Sequence, residues 1–280
     1  MTDNSKHIAK ESNSSFYYSF SLLAKPKRDA MNTVYAFCRK TDDIVDEGNE
    51  PEELRYERLR KWRIELEKAL YGTSDYQLFN KLAAIIKQFN IPIDPFFELI
   101  VGMEMDLQRK RYPSFDELEL YCYCVASTVG LICIEIFGYK NKSAKDYAIN
   151  LGLAMQLTNI LRDIKKDSDR GRIYLPQKDM TDFNYSEEDL IERKYNPEFV
   201  SLMKYEAARA EEFFKKADQF LDFEDKSSMF PARAMQHIYH KLLTKIKAEN
   251  YDVFNKKIKV GKFEKAAISI GVWAKYSLVY

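Results

Sequence analysis

Glycine and proline are scarce, with 9 and 8 in 280 residues, and no Asn-Gly or Asp-Gly pair occurs. Those pairs are the strongest short-range hairpin signal, so a fold built on hairpins has little support. An excess of one charge is also missing. Lys and Arg number 44 against 43 Asp and Glu, a net charge of +1. That removes the electrostatic ground for a nucleic-acid partner and gives no strong overall anchor to a charged surface. Histidine is limited to His7, His237 and His240. They supply no partner motif for Cys122 and Cys124, whose spacing is short for zinc. The four cysteines, Cys38, Cys122, Cys124 and Cys133, sit in apolar contexts without a secretory signal before them. Reduced, buried thiols in a cytoplasmic protein are expected. No run approaches the length of a transmembrane helix. The most apolar stretch, Val125 to Gly138, is broken by Ser127, Thr128, Gly130 and Glu135. The N-terminus has no apolar segment of signal type.

What is present is apolar and helical. Hydrophobic residues make up 46% and charged residues 31%, as in a globular domain. One domain over 1–280 is expected, with 1–13 a flexible N-terminus. Aromatics at 14% suit a large apolar cavity or a tyrosine-rich core. Helix starts are frequent. Asp94-Pro95 and Asn196-Pro197 place a cap before proline. Ser114 with Glu117 reads as a capping box, and Ser143 with Asp146 and Ser186 with Asp189 have the same spacing. The pattern predicts helices near 14–24, 27–46, 52–70, 75–90, 95–110, 115–137, 144–168, 187–194, 197–222, 230–250 and 262–277. Lys165 to Gln177 reads as a loop.

Two acidic patterns carry the chemistry. In CRKTDDIVDEG, Asp42 and Asp46 are four apart and share a helical face beside Asp43. Carboxylates late in a helix oppose its dipole, and a magnesium ion, which prefers oxygen ligands and bridges phosphates, would compensate them. A solvated helix end is the other reading of so short a pattern. In QLTNILRDIKKD, Asn159, Asp163 and Asp167 follow at intervals of four, a stripe about 12 Å long at ~1.5 Å rise per residue. Gln156 lies just upstream, and Arg162, Lys165 and Lys166 interleave the stripe. An exposed face with local ion pairs, each worth ~0.3–0.5 kcal/mol, is the alternative. The apolar LGLAMQLTNIL before it argues for a buried helix whose inner acids need cations. Arg39, three before Asp42, can bind diphosphate oxygens at the same mouth or pair with Asp42 or Asp43. Arg162 can do likewise at the second stripe or pair with Asp163.

The segments SSFYYSFSLL, VYAFCRKTDDIVDE, YCYCVASTVG and QLTNILRDIKKDSDRGRIYLP resemble the squalene and phytoene synthase family. The resemblance runs from about Ser14 to Lys265. It implies an all-α isoprenoid (terpenoid) synthase bundle around a central cavity, with two aspartate-rich helices facing each other across its mouth and holding magnesium. Asp42 and Asp46, then Asn159, Asp163 and Asp167, match the metal ligands. Ser15, Arg39 and Tyr239 match diphosphate contacts. Tyr35, Tyr121, Val125, Ala126, Val129 and Gly130 match cavity or reaction-centre positions. Gln156 is counted with the substrate contacts, and Tyr121 and Arg162 with the catalytic set. Ser127 stands where one version of the motif, Val-Ala-Gly-Thr-Val-Gly, has glycine, which bears on cavity shape.

The implied reaction joins two prenyl diphosphates head to head. VASTVGLICIEIFGYKN, RGRIYLPQ and MFPARAMQHIYHKLL look most like bacterial members that make presqualene diphosphate from two farnesyl diphosphates. Phytoene synthase, using two geranylgeranyl diphosphates, is the alternative. NADPH is needed only if the reaction proceeds to squalene. The expected partners are the substrates, a peripheral membrane contact and downstream pathway enzymes. Two readings outside catalysis are a family-related assembly factor and a helical scaffold with acidic faces. An assembly factor would be marked by degenerate aspartates, whereas both motifs here keep their acids. Asp42→Asn, Asp46→Asn and Asp163→Asn should each abolish most turnover with helical circular dichroism retained, because an amide carries no charge to balance magnesium. Normal turnover in Asp163→Asn would remove the second stripe from the site.

Overall fold

The structure, a computed structural model, describes residues 15–46 and 50–278. The expected flexible segment 1–13 lies outside the described residues. Helices α1 (Ser15–Phe20), α2 (Lys25–Asp46), α3 (Glu52–Tyr71), α4 (Gln77–Phe89) and α5 (Asp94–Gln108) come first. Then follow α6 (Phe115–Cys122) and α7 (Thr128–Phe137), joined without a break by a π-helical turn, Tyr123–Ser127. Next are α8 (Ala144–Asp169), α9 (Gln177–Asp182), α10 (Glu187–Ile191), α11 (Pro197–Phe220), α12 (Phe230–Ala248) and α13 (Lys262–Leu278). Among the described residues there is no strand.

The capping signals held in part. Ser186 and Asp189 form the reciprocal box, and Asn196 Oδ1 accepts from the Phe199 N–H at 2.9 Å. Ser114 makes no such bond, and the Glu117 carboxylate, the other half of the box, is taken by Arg109 at 3.0 Å. Ser143 is itself in helical geometry and cannot turn its hydroxyl onto the first turn. Asp94 is likewise already helical. The loop expected from Lys165 is also revised. Helix α8 runs on to Asp169, and Gly171, at φ +76°, ends it. The Arg172 N–H reaches the Asp167 carbonyl at 2.9 Å and the Gly171 N–H reaches Ser168 at 2.9 Å, a Schellman closure. The short helix α9 was not foreseen. It is pinned by the Gln177 N–H on the Tyr112 carbonyl, 2.9 Å.

Helix α8 is the axis of the bundle. It packs along α11 over the longest interface and also touches the π turn, α7 and α12. Tyr147, Ala154, Thr158 and Leu161 on it are essentially inaccessible. Continuous apolar character makes Phe115–Phe137 long and apolar enough to cross a membrane by length and composition, contrary to the expectation that no segment qualifies. More than half of its apolar window is instead buried within the bundle. The four cysteines are free, and Cys122, Cys124 and Cys133 are buried, as expected.

Glycines let these helices close on the π turn. A Cβ at Gly152 would lie 2.6 Å from the Ser127 Cα and 2.7 Å from its N. One at Gly102 would lie 2.7 Å from Val125 Cγ1, and one at Gly130 would lie 2.9 Å from the Ala148 carbonyl oxygen. The turn is thus clamped between α5 and α8 by close backbone approach. Gly152→Ala must separate α8 from the turn and should cost about 1–3 kcal/mol. Gly271→Ala, with nothing within 4 Å of the new methyl, should be neutral or stabilising by up to about 1 kcal/mol. Urea unfolding of both variants checks this. Equal stability in the two would contradict the clamp.

Candidate active site

A cavity of about 600 Å³ runs through the bundle between α1, α2, α5, the π turn, α7, α8 and α12. Its deep end is apolar, with Phe20 and Phe137 in ring contact at 5.8 Å and Phe16 against Tyr35 at 5.7 Å. Its mouth carries Asp42 and Asp46 from α2 and Asn159, Asp163 and Asp167 from α8. The two acidic patterns therefore meet although over a hundred residues separate them. Tyr35, Arg39, Tyr121, Val125, Ala126, Val129, Gly130, Gln156, Arg162 and Tyr239 also line the cavity. Ser15 opens α1, but its side chain lies outside the described residues. Ser127 departs from the expectation. It is fully buried, and its hydroxyl donates to the Ile149 carbonyl at 2.8 Å. It therefore points away from the cavity and does not shape its wall.

Asp46 is the most constrained acid. Arg170 reaches one of its oxygens at 2.6 Å and Arg172 the other at 2.7 Å. Burial raises this carboxyl, but the hydrogen bonds from Arg172 and Arg170 prevail and hold it below its usual range. Burial, then the charge of Asp46, pushes Asp42 up to about 6, with Arg39 pulling the other way. Arg39 reaches Asp42 at 3.2 Å and Asp43 at 2.6 Å. Burial, then Asp163, pushes Asp167 up to about 7. Arg162 grips Asp163 through two nitrogens, so both readings of that arginine meet in one place: it pairs with Asp163 and lines the cavity. Asn159 donates to Gln156 at 3.3 Å, while its buried Oδ1 has no hydrogen-bond partner among the described residues.

Sequence reasoning missed a second buried carboxylate. Asp106 on α5 accepts from Tyr174 at 2.7 Å and from Tyr121 at 3.0 Å. Tyr121 and Tyr174 stack at 5.2 Å, and Tyr112 packs on Tyr121 at 5.5 Å and on Tyr174 at 5.9 Å. Burial raises Asp106, and the charge of Arg172 with the two hydroxyls offsets part of that. Both Tyr121 and Tyr174 are held well above the usual phenol range, first by burial and then by Asp106. They are neutral donors at any ordinary pH. The signal was available: Leu99, Met103 and Asp106 follow at intervals of four and three, so the acid falls on the helix's cavity face.

Among the described residues, no three His, Cys, Asp or Glu side chains form a closed metal cage. Magnesium does not need one, since it binds through one or two carboxylates, waters and substrate phosphates. The orphaned Asn159 oxygen and the raised Asp42 and Asp167 leave acceptor capacity facing the mouth, so the donor set fits such an ion. Asp46 fits it least, because two separate guanidinium groups hold it, one on each oxygen; Asp163 shares both of its oxygens with Arg162 alone.

Arg172 is buried, and its loss leaves Asp46 and Asp106 with less compensation. Arg172→Met should lower stability by roughly 3–5 kcal/mol. Arg170→Met, at the exposed end of the same clasp, should cost less than about 1 kcal/mol. Urea midpoints of the two variants compare them, and equal losses would contradict the asymmetry.

A model of the squalene/phytoene synthase family matches residues 9–264. The chain is 35% identical over 272 residues to a chloroplastic phytoene synthase of Narcissus pseudonarcissus, covering 95% of this chain and 64% of that one. It is 37% identical over 254 residues to the 15-cis-phytoene synthase of Synechocystis sp., covering 86% and 75%. It thus spans 64% of the length of the first of these relatives. A solved dehydrosqualene synthase in complex with ligand superposes with a TM-score of 0.85 at 30% identity, covering 99% of this chain and 96% of that one. Matched along most of its length in sequence and nearly all of it in fold, with its acids gathered at one cavity mouth, this chain belongs to the squalene/phytoene synthase family.

Proposed function

We propose that the chain condenses two prenyl diphosphates head to head. The observation that carries this is the meeting of two acid-bearing helices at the mouth of a cavity that is apolar at its far end. A prenyl diphosphate has the same division, an anionic head on a long hydrocarbon. The names of the curated relatives support two geranylgeranyl diphosphates and phytoene better than the presqualene diphosphate expected from sequence. The solved dehydrosqualene synthase keeps the farnesyl substrate as the second reading.

Asp42, Asp163, Asp167 and Asn159 are the residues that would hold magnesium, with Asp46 a weaker candidate. When bound, the ion supplies positive charge against the leaving diphosphate. Arg39 and Arg162 flank the same mouth and can bind diphosphate oxygens as the C–O bond breaks and an allylic cation forms. The wall made by Val125, Ala126 and Val129 keeps water from that cation. The double bond of the second substrate attacks, and loss of a proton closes a cyclopropane. Tyr121, which lines the cavity, is our candidate acceptor for this proton. Being neutral, it accepts one only by passing its own to Asp106, 3.0 Å away. The released diphosphate is the competing acceptor.

The test is product identification with purified chain, farnesyl or geranylgeranyl diphosphate, magnesium or chelator, and NADPH present or absent. Phytoene from geranylgeranyl diphosphate, only with magnesium, is expected. Products from farnesyl diphosphate alone would reverse the chain-length assignment, and no product from either would leave the non-catalytic readings. Tyr121→Phe and Asp106→Asn should each lower kcat by about 10²–10⁴ with KM little changed. Unchanged kcat in both would assign the proton to diphosphate.

A further inference from the structure

Among the described residues, one face of helix α13 is uncovered. Phe263 is 92% exposed and Ile270 56%, with Ala267 also exposed and Ala274 half-buried. Spacings of four, three and four residues put these side chains on one stripe along the helix. The opposite face buries Val272 and Tyr276. A phenylalanine almost wholly in water, continued by a second large apolar side chain two turns on, is a surface that gains by being covered.

The second observation is charge. The turn leading into α13 carries Lys256, Lys257 and Lys259, and α13 opens on Lys262, all exposed. Lys256 is paired with Glu249, and the nearby acid Glu264 is held by Lys245 at 2.7 Å. Among the described residues, Lys257, Lys259 and Lys262 make no ion pair. The balanced net charge therefore hides a local basic cluster at the start of the apolar stripe. The third observation is position. A groove of about 730 Å³ is walled by Lys257 and Lys259 and shares Arg162, Arg170 and Tyr239 with the mouth of the cavity.

We infer that this face docks the protein on an anionic lipid bilayer. Phe263 and Ile270 enter the boundary between headgroups and acyl chains, and the lysines meet the anionic headgroups. An apolar helical stripe beside lysines is the pattern of an interfacial helix, and juxtaposed lysines draw on the negative potential of such a surface. A second copy of the chain fits less well. The stripe is narrow against the ~800 Å² per partner of a stable interface. In this arrangement the groove lies beside the docked face, so a membrane-held prenyl diphosphate passes along it to the mouth. That use of the face rests on the proposed reaction, whereas the docking itself does not.

Co-sedimentation of the full chain with unilamellar vesicles tests the docking without any substrate. Binding to phosphatidylcholine vesicles containing phosphatidylglycerol is expected, weakening as salt rises and reduced roughly tenfold or more in Lys259→Gln/Lys262→Gln. Phe263→Ser/Ile270→Ser should lose vesicle binding yet turn over detergent-dispersed substrate as the parent does. Absence of parent binding to the anionic vesicles, or parent-like binding by both double variants, would overturn the inference. So would a dimer, seen by sedimentation velocity, that Phe263→Ser/Ile270→Ser dissolves without changing vesicle binding. Vesicle binding with no turnover of any prenyl diphosphate would sink the proposed reaction and leave the docking in place.

Discussion

The contact on which the site depends is the clasp of Arg172 on Asp46. It joins the C-terminal end of α2 to the turn that closes α8, and so fixes the two acidic stripes opposite each other. Its geometry begins in local chain chemistry. Gly171 adopts a positive φ, the Schellman closure turns the chain back, and Arg172 is delivered to the mouth instead of running on into solvent. Once buried there, the guanidinium also faces Asp106 and tempers the cost of that carboxylate in a low-dielectric setting. Asp106 in turn orients Tyr121 and Tyr174. One glycine-ended helix thereby organises both the polar mouth and the phenol at the cavity wall.

The apolar part of the site follows from a different constraint, close helix approach. Gly102 and Gly152 admit the π turn between α5 and α8, and the turn presents Val125 and Ala126 to the cavity while directing Ser127 away from it. A π turn inside a helix adds a residue to one revolution and re-aims the side chains around it. This explains how residues so close in sequence divide between cavity wall and helix contact. Ala126 belongs to both: it lines the cavity, and its carbonyl carbon lies 2.9 Å from where a Gly152 Cβ would stand.

Most of this was legible in the sequence because helices advertise themselves by period and by caps. The positions of α2, α8 and α11 followed from apolar spacing, and Asn159, Asp163 and Asp167 from an interval of four. What stayed hidden was long-range pairing. Nothing local in DSDRGR says that Arg170 and Arg172 meet Asp46, more than a hundred residues earlier. The Glu117 half of the Ser114 box was hidden too, since its carboxylate goes to Arg109 instead. Asp106 was hidden less deeply, as a lone acid on the apolar face of its helix. The basic cluster before α13 was masked by a net charge of +1, an average that says nothing about where the lysines gather.

Under the proposed reaction, the acids at the mouth and a prenyl diphosphate complete one magnesium site, neither being sufficient alone. Calorimetric titration with a non-hydrolysable prenyl thiodiphosphate measures this directly, in magnesium and in chelator. Weak magnesium binding to the free chain is predicted, with analogue binding that is tight only when magnesium is present and is lost in Asp163→Asn. Equally tight analogue binding in chelator would contradict the account.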